Sequence, residues 1–390
     1  MKVLTFSTLF PNSEKPGHGI FVETRLRHLV ATGQVEARVV APAPWFPSKN
    51  PMFGQYARQA KVPRAEVRHG IAVAHPPYLV LPKVGMNVAP LLLAQAAKPT
   101  IARLIDEGFD FDLIDAHYFY PDGVAAAMLA RHFNKPLVIT ARGSDVTLFP
   151  QFALPRKMIT WAARRASAVI TVANALRDEV VALGVDPSRV TTLRNGVDLE
   201  LFRPTERTGA NVFTLLTVGH LVPQKAQELI IAALPLLPDV RLVIAGEGPN
   251  RAMLENLAQS LKLEHRVKFL GAVSQAALCS QYGAADAMVL ASSREGWANV
   301  LLESMACGTP VVASRVHGTP EVVAAPEAGV LMAERTAQGV ADGVNRLRAA
   351  YPDRAATRRY AERFSWDDTT AGQLRIFGAI LRERQNLALA

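Results

Sequence analysis

Cysteine is almost missing from this chain: 390 residues hold two, Cys279 and Cys307, both in apolar, helix-patterned stretches with no CxxC and no histidine cluster nearby. That scarcity argues against a disulfide framework or a structural zinc site and points to a reducing cytosol. Long apolar runs are lacking too. None approaches the roughly 20 residues needed to span a bilayer, so the expectation is a soluble or at most peripheral protein. The opening MKVLTFSTLF has a single early lysine and no small-residue cleavage site before Pro11, Asn12 and Ser13. It therefore reads as a buried first strand and not as a signal peptide. Charged residues make up 20% against 49% hydrophobic ones, the balance of a well-cored chain and not of a disordered one. What is in excess is positive charge, a formal net +9. It favours anionic partners, whether phosphate, nucleic acid or acidic lipid, without choosing among them.

The length suffices for two domains of ordinary size. Short β-branched runs alternate with longer helix-periodic segments, and the pattern occurs twice. Strands are expected at 2–7, 37–42, 111–116, 137–140, 168–172 and 190–194, with helices such as 19–31, 122–133 and 174–183 between them. A second series places strands at 213–218, 241–245, 267–270, 287–291 and 311–313, with helices at 225–234, 251–262, 275–284 and 299–306. The fold class is α/β: two Rossmann-like, doubly wound domains facing across a cleft. The break lies in the polar, Pro204-containing stretch 196–208, which divides the chain into domains 1–203 and 204–369. An amphipathic helix at about 370–390 is expected to pack back on the first domain. Ligands of open parallel sheets bind beyond the carboxyl ends of the strands, so the cleft is the default site.

One segment carries the sharpest chemical signal. In SREGWANVLLESMACGTPVVAS, Glu295 and Glu303 are separated by seven residues. A strand ends at Ser292, a turn covers 293–297, and a helix follows until Gly308. The turn delivers backbone N–H groups at a helix N-terminus, which suits a phosphate, and Gly296 allows close approach. Carboxylates do not bind phosphate, but they accept hydrogen bonds from hydroxyls, and sugars offer hydroxyls in pairs. The plainer alternative is a pair of solvent-facing glutamates.

EGWANVLLE followed by SMACGTPVVAS resembles the signature of the retaining, nucleotide-sugar-dependent glycosyltransferases of family 4, which have the GT-B double-Rossmann fold. The resemblance implies that Glu295 holds donor-sugar hydroxyls and acts in catalysis, while Glu303 holds the nucleotide ribose. It further implies that the backbone of Gly296, Trp297, Ala298 and Asn299 meets the sugar and β-phosphate. In TVGHLVPQKAQ, Lys225 matches the lysine that grips the diphosphate. His220 stands where the family has arginine, and Ala226 where it has glycine, so the clamp depends on histidine protonation. AGEGP and KFLGAV place Gly246, Glu247, Gly271 and Val273 where the family passes backbone along the nucleotide. PNSEKPGHGIFV places Gly17, His18 and Gly19 in the family's diphosphate and acceptor loop, in a form similar to the teichuronic-acid and exopolysaccharide subgroup. DLIDAHYFYPDG puts His117 where a catalytic histidine lies close to the transferred sugar, with a core or turn histidine as the alternative. ITARGSDVTLF keeps Gly143 and Asp145 of the family segment but has Arg142 in place of its histidine. Arg142 and Asp145 are read on the acceptor side, although Asp145 would equally cap a helix. RNGVDLELFRP and the later Phe364-Ser365-Trp366 match the family's passages between domains. The resemblance is weakest over 45–97.

By resemblance, the reaction retains anomeric configuration, uses a UDP-, GDP- or ADP-sugar as donor and needs no further cofactor. No Asp-x-Asp pair is placed to hold a divalent cation on a diphosphate, so no metal is expected. The acceptor is a glycan or a lipid-linked sugar of envelope or exopolysaccharide synthesis. Lys49, Arg58, Lys61, Arg64 and Arg68 are interleaved with Trp45, Phe46, Met52, Phe53 and Tyr56, and Arg156, Lys157, Arg164 and Arg165 surround Trp161. Such faces dock on anionic membranes, or are simply solvated basic surface. The location expected is cytoplasmic, at most peripheral on the inner membrane face. A sugar-nucleotide epimerase and a non-catalytic nucleotide-sugar-binding homologue share the fold and stand as alternatives. A nicotinamide oxidoreductase lacks its G-x-G-x-x-G with an acid about twenty residues on. No nucleic-acid-binding module is recognisable.

Overall fold

A computed structural model of the chain describes residues 1–80, 85–205 and 212–389. Residues 206–208 of the expected linker and the side chain of Tyr56 lie outside the described residues. The chain divides into two compact units, Met1–Leu193 together with Asp367–Ala390, and Arg194–Trp366.

The first unit is built on a sheet of order β10-β9-β8-β7-β1-β2-β5-β4. Its strands are β1 (Lys2–Phe6), β2 (Glu36–Val40), β4 (Ala65–Arg68), β5 (Ile71–Ala74), β7 (Leu113–His117), β8 (Leu137–Ala141), β9 (Ala168–Thr171) and β10 (Val190–Thr192). β3 (Ala43–Trp45) and β6 (Pro77–Leu79) pair separately, in parallel. Only β4 is antiparallel in the main sheet, joined to β5 by His69 and Gly70, both at positive φ. That is the backbone a two-residue hairpin requires. β1, β7 and β8 are buried nearly throughout, as parallel strands covered on both faces must be.

The stretch 45–97, where the pattern suggested no elements, holds β4, β5, β6 and a 22-residue helix, Gly85–Asp106. Four-residue strands are too short to show alternation, and Pro90 and Pro99 inside the helix read as breakers. The helix's most apolar 18-residue window has a mean hydropathy of 1.2, enough to cross a membrane by length and composition only.

The second unit has the order β13-β12-β11-β14-β15-β16, all parallel. The strands are β11 (Phe213–Val218), β12 (Val240–Ala245), β13 (Val267–Gly271), β14 (Ala287–Leu290), β15 (Val311–Ala313) and β16 (Gly329–Leu331). Both units are thus doubly wound and Rossmann-like. In each the first strand is central: β1 lies between β2 and β7, and β11 between β12 and β14. The chain reverses its winding there, so the loops leaving those strands part and open a crevice at their carboxyl ends.

Aliphatic residues of the strands pack against the crossover helices: Leu215, Leu242, Ile244 and Val289 meet Val340 and Val344 in the second unit. In the first, Val3, Leu113, Val138 and Ile170 share a core with Leu26 and with Phe377 of the final helix, Trp366–Leu389. Phe377 is fully buried. Its truncation, Phe377→Ala, is expected to lower unfolding free energy by about 3–5 kcal/mol through lost burial and a cavity. Chemical denaturation followed by circular dichroism measures this; an unmoved midpoint would mean that the helix contributes nothing to the core.

Candidate functional site

In the second unit the loops after β11 and β14 meet at the crevice. β11 and β14 are hydrogen-bonded neighbours, Leu215 opposite Ala287, so their loops emerge side by side although about seventy residues apart in sequence. They are stitched together: Ser293 N–H donates to the Gln224 carbonyl (2.8 Å), and the Gln224 side-chain amide donates to the Arg294 carbonyl (2.9 Å). Beside this seam the Lys225 ammonium pairs with Glu295 Oε1 at 2.6 Å, and both side chains are largely shielded. The turn Pro223–Lys225 leads into Ala226 in the left-handed conformation, φ 51°. Glycine adopts that backbone without cost, which gives a physical reason for a glycine at this place in the resembling pattern.

Glu303, partly buried in the helix Asn299–Ala306, accepts a 2.9 Å hydrogen bond on Oε2 from the Tyr282 hydroxyl. Burial pushes its carboxyl up to about 7, against the lowering effect of that bond. Tyr282, held by helix Gln275–Ala284 and fully buried, was not singled out by the sequence; nothing local marks a tyrosine as the partner of a glutamate 21 residues on. Trp297 is 7% exposed and its indole N–H donates to the Asn195 carbonyl (3.1 Å). Its ring therefore holds the turn in place and is not presented to a ligand. The Asn299 amide donates to the Trp297 carbonyl (3.1 Å), and its side chain accepts from Asn195. The expectation that every amide from Gly296 to Asn299 is open to a phosphate is corrected for that one: it is consumed in closing the turn. Ala298 is buried.

The remaining loops of this edge form a ladder. Gly219 N–H donates to Ala245 O, Leu221 N–H to Glu247 O, and Gly246 N–H to Gly271 O, at 2.8 to 3.0 Å. Gly246 (φ 147°) lies so close to Gly219 that a Cβ would sit 1.9 Å from its carbonyl oxygen. His220 and Glu247 are exposed here, and Val273 is half-buried.

In the first unit the loop after β1 runs to Gly19, whose φ of 67° and position, a Cβ falling 2.3 Å from Leu9 O, demand glycine. Gly17 and His18 are exposed, and His18 Nε2 lies 3.1 Å from Thr8 O. With Asn12, Lys15, His75 and Tyr78 this loop walls a cavity of about 260 Å³. Asp122, beyond β7, ties the loop down by accepting from Thr8 N–H (2.7 Å) and from the Thr8 and Ser7 hydroxyls. Burial pushes its carboxyl up to about 7.

His117 closes β7 but is 1% exposed. Arg142 Nη2 donates to its Nδ1 (2.8 Å), which leaves the proton on Nε2 to be donated to Asp115 Oδ2 (3.2 Å). Both ring nitrogens are taken, which corrects the expectation that its side chain meets the transferred sugar. Burial foremost, with Arg142 nearby and despite Asp115, drops its pKa to about 4. Asp115 also accepts from Gln373 (3.2 Å), whose carbonyl takes Arg25 Nε–H (2.9 Å). Burial, only partly offset by Asp115, lowers the Arg25 guanidinium to about 10. Arg142 is 8% exposed and stacks 5.0 Å from the Phe21 ring. Asp145 is fully buried, its oxygens taken by the amides of Phe119, Arg142 and Gly143 at 2.6 to 3.1 Å. It caps the turn, and its expected acceptor-side role is corrected accordingly. Asp115 escaped the sequence reading, although its spacing of two from His117 on a strand is the signal that would have found it.

The comparisons with known proteins agree with this architecture. Residues 17–201 match the family model described as Glycosyltransferase Family 4, and residues 200–364 match the model described as Glycosyl transferases group 1. Two relatives span most of the chain. The Bacillus subtilis (strain 168) protein named as a teichuronic acid biosynthesis glycosyltransferase, TuaC, is 28% identical over 359 residues, 89% of each chain. A D-inositol 3-phosphate glycosyltransferase of Mycobacterium tuberculosis (strain CDC 1551 / Oshkosh) is 31% identical over 331 residues, covering 75% of this chain and 68% of that one. Among solved structures, sucrose-phosphate synthase from Thermosynechococcus elongatus superposes with a TM-score of 0.80 at 21% identity, over 100% and 99% of the two chains. Anabaena HepE, in complex with UDP-glucose, gives 0.72 at 23%, over 97% and 99%. Fold and site thus define a GT-B protein of two Rossmann-like domains. The chain belongs to the glycosyltransferases of group 1 and family 4.

The buried cluster in the first unit has a measurable signature. Folded His117 stays neutral down to about 4, whereas the unfolded residue takes a proton at its ordinary 6.5. Stability from this group is therefore complete above 6.5 and is lost as pH falls toward 4. Equilibrium unfolding across that range should show the decline, and His117→Gln should flatten it. Asp115→Ala should cost about 3–5 kcal/mol, because it strands buried positive charge.

Proposed function

We propose that this chain is a retaining, metal-independent glycosyltransferase that moves a hexosyl unit from a nucleoside-diphosphate sugar to a hydroxyl of a glycan or lipid-linked acceptor, at the cytoplasmic face of the cell envelope or in exopolysaccharide synthesis. The observation that carries the reading is the Lys225–Glu295 pair at the winding reversal of the second unit, with Glu303 eight residues on in the same loop and helix. A cation for a diphosphate, on the loop after β11, stands beside two carboxylates for hydroxyls on the turn and helix after β14. The name carried by TuaC and the UDP-glucose complex of HepE support the acceptor and donor classes respectively.

In this reading Lys225, with three N–H donors, holds the donor phosphate while keeping Glu295 in place. Glu295 accepts from sugar hydroxyls, and Glu303, its rotamer set by Tyr282, accepts from the ribose through Oε1. The ladder of Gly219, Gly246 and Gly271 gives the nucleotide a backbone surface free of Cβ atoms, flanked by Glu247 and Val273. His220 adds charge when protonated. The acceptor oxygen approaches the anomeric carbon on the face the diphosphate leaves: the C–O bond to the β-phosphate breaks, the C–O bond to the acceptor forms, and the acceptor proton passes to the departing phosphate oxygen. The chain contributes orientation and stabilisation of developing phosphate charge. The cavity behind Gly17, His18 and Gly19 lies on the acceptor side, and His117 and Arg142 act there by holding β7 and β8 in register.

The thermal shift produced by UDP-, GDP- and ADP-sugars identifies the donor, since a ligand bound only by the folded state raises its apparent stability. With that donor, the anomeric proton coupling of the product by NMR should show retention, and turnover should persist in excess EDTA. An inverted product or complete loss in EDTA would overturn the corresponding part of the reading. Lys225→Ala should reduce kcat by about 10²-fold or more with the fold intact.

Glu303 supplies a second check. Its carboxylate, not its acid, accepts from hydroxyls, so donor affinity in a His220→Gln background, which removes the opposing histidine charge, should rise with pH through about 7. Tyr282→Phe removes a hydrogen bond to the ionised form and should move that midpoint upward while weakening donor binding roughly tenfold. Titration calorimetry at pH 6 to 8 reads both.

A further inference from the structure

One face of the first unit carries apolar side chains that, among the described residues, nothing in that unit covers. The helix Gly85–Asp106 has no charged residue before Lys98. It buries Pro90, Leu93, Ala94, Ala97 and Ile101, a single stripe at spacings of one, three and four. Met86 and Leu91 stand outward, 37% and 49% exposed, and only 22% of its most apolar window is buried. The stripe packs on β6, on the helix Val124–Phe133 and on the helix Ala153–Arg165. Leu79 of β6 is the register partner of Trp45 of β3, and both are nearly half exposed, at 46% and 47%. Met52 and Phe53, in the short turn after β3, are exposed as well.

The helix Ala153–Arg165, packed beside Gly85–Asp106, carries charge of one sign. Phe152 and Leu154 are exposed at its start. Arg156, Lys157, Arg164 and Arg165 follow, all exposed, and the helix contains no acid. These four cations line a shallow groove with Thr160 and Trp161, Arg165 lying 4.3 Å from the Trp161 ring.

We infer that this face docks on an anionic lipid bilayer, with the helix Gly85–Asp106 lying in the membrane plane and the basic helix Ala153–Arg165 among the headgroups. A surface of apolar side chains flanked by cations matches the acyl boundary and the phosphate layer of such a membrane. A crossing helix would have to leave β6 and carry Lys98 and Arg103 into hydrocarbon. A second copy seated on the same face would bring eight cations together, which opposes association. The sequence showed the basic and aromatic clusters; the uncovered helix that joins them emerges only from the fold. The inference stands or falls apart from the transfer reading, because its test needs neither donor nor acceptor.

The full chain should co-sediment with vesicles containing about 30% phosphatidylglycerol and bind pure phosphatidylcholine vesicles at least about tenfold more weakly. Raising ionic strength to about 0.5 M should release most of the protein, as screening shortens the reach of the cations. The double variants Met86→Gln with Leu91→Gln, and Arg156→Glu with Lys157→Glu, should each lower binding about tenfold or more. Their thermal midpoints should not move, since all four side chains are exposed. Three results would overturn the inference: wild-type protein that stays in the supernatant, equal binding to both vesicle types, or double variants that bind undiminished. Concentration-dependent dimerisation lost in Met86→Gln with Leu91→Gln, without vesicle binding, would reassign the face to a second copy.

Discussion

Parallel pairing about a central first strand is the constraint on which both halves of the molecule depend. Because β1 and β11 each have neighbours on both sides, the crossover helices leave in opposite directions and the loops at the strand ends separate. In both units a carboxylate then ties the loop of the first strand to that of its neighbour across the reversal: Asp122 accepts from Thr8 beside β1 and β7, and Glu295 pairs with Lys225 beside β11 and β14. The two ties differ in kind. Asp122 is fully buried and its ligands are amide and hydroxyl groups, so it organises a loop. Glu295 and Lys225 retain some exposure, and their charges remain available to a ligand.

The first unit concentrates buried charge in an unusual way. Arg25, Arg142, Asp115, Asp145 and His117 are all nearly inaccessible, and desolvation dominates the behaviour of each of these titrating groups for which a shift is resolved. Burying two guanidinium groups is unfavourable unless carboxylates balance them, and Asp115 and Asp145 do so from β7 and from the turn after β8. Gln373 of the final helix bridges Arg25 and Asp115. The result is a rigid frame behind the glycine loop. It fixes the tautomer of His117 through Arg142 and Asp115.

Much of this was legible in the residues. Five of the six strands after residue 210 are found within a residue or two of where alternation and β-branching put them, because central parallel strands are continuous apolar runs; the three-residue edge strand β16 (Gly329–Leu331) was not expected. The Glu295–Glu303 element was legible because strand, turn and helix follow one another without a gap. The stretch 45–97 was not. There the strands are three or four residues long, and a helix with two internal prolines imitates a loop. Tyr282 and Gln373 were illegible for another reason: each matters through a partner far along the chain, and no local pattern announces a long-range hydrogen bond.

The chain's periodicity therefore determined, by itself, that there would be two doubly wound sheets, and its spacing placed two acids around a helix start. Those are local properties, governed by side-chain alternation and turn chemistry over a few residues. Only the tertiary structure decided that Lys225 would meet Glu295, that Asp145 would be spent on backbone amides, that both nitrogens of His117 would be occupied, and that Cys279 and Cys307 would lie 3.8 Å apart as buried free thiols. These outcomes depend on which strands become neighbours and how much water is excluded between them. Strand order and burial are set by packing the whole sheet, and a sequence window contains neither.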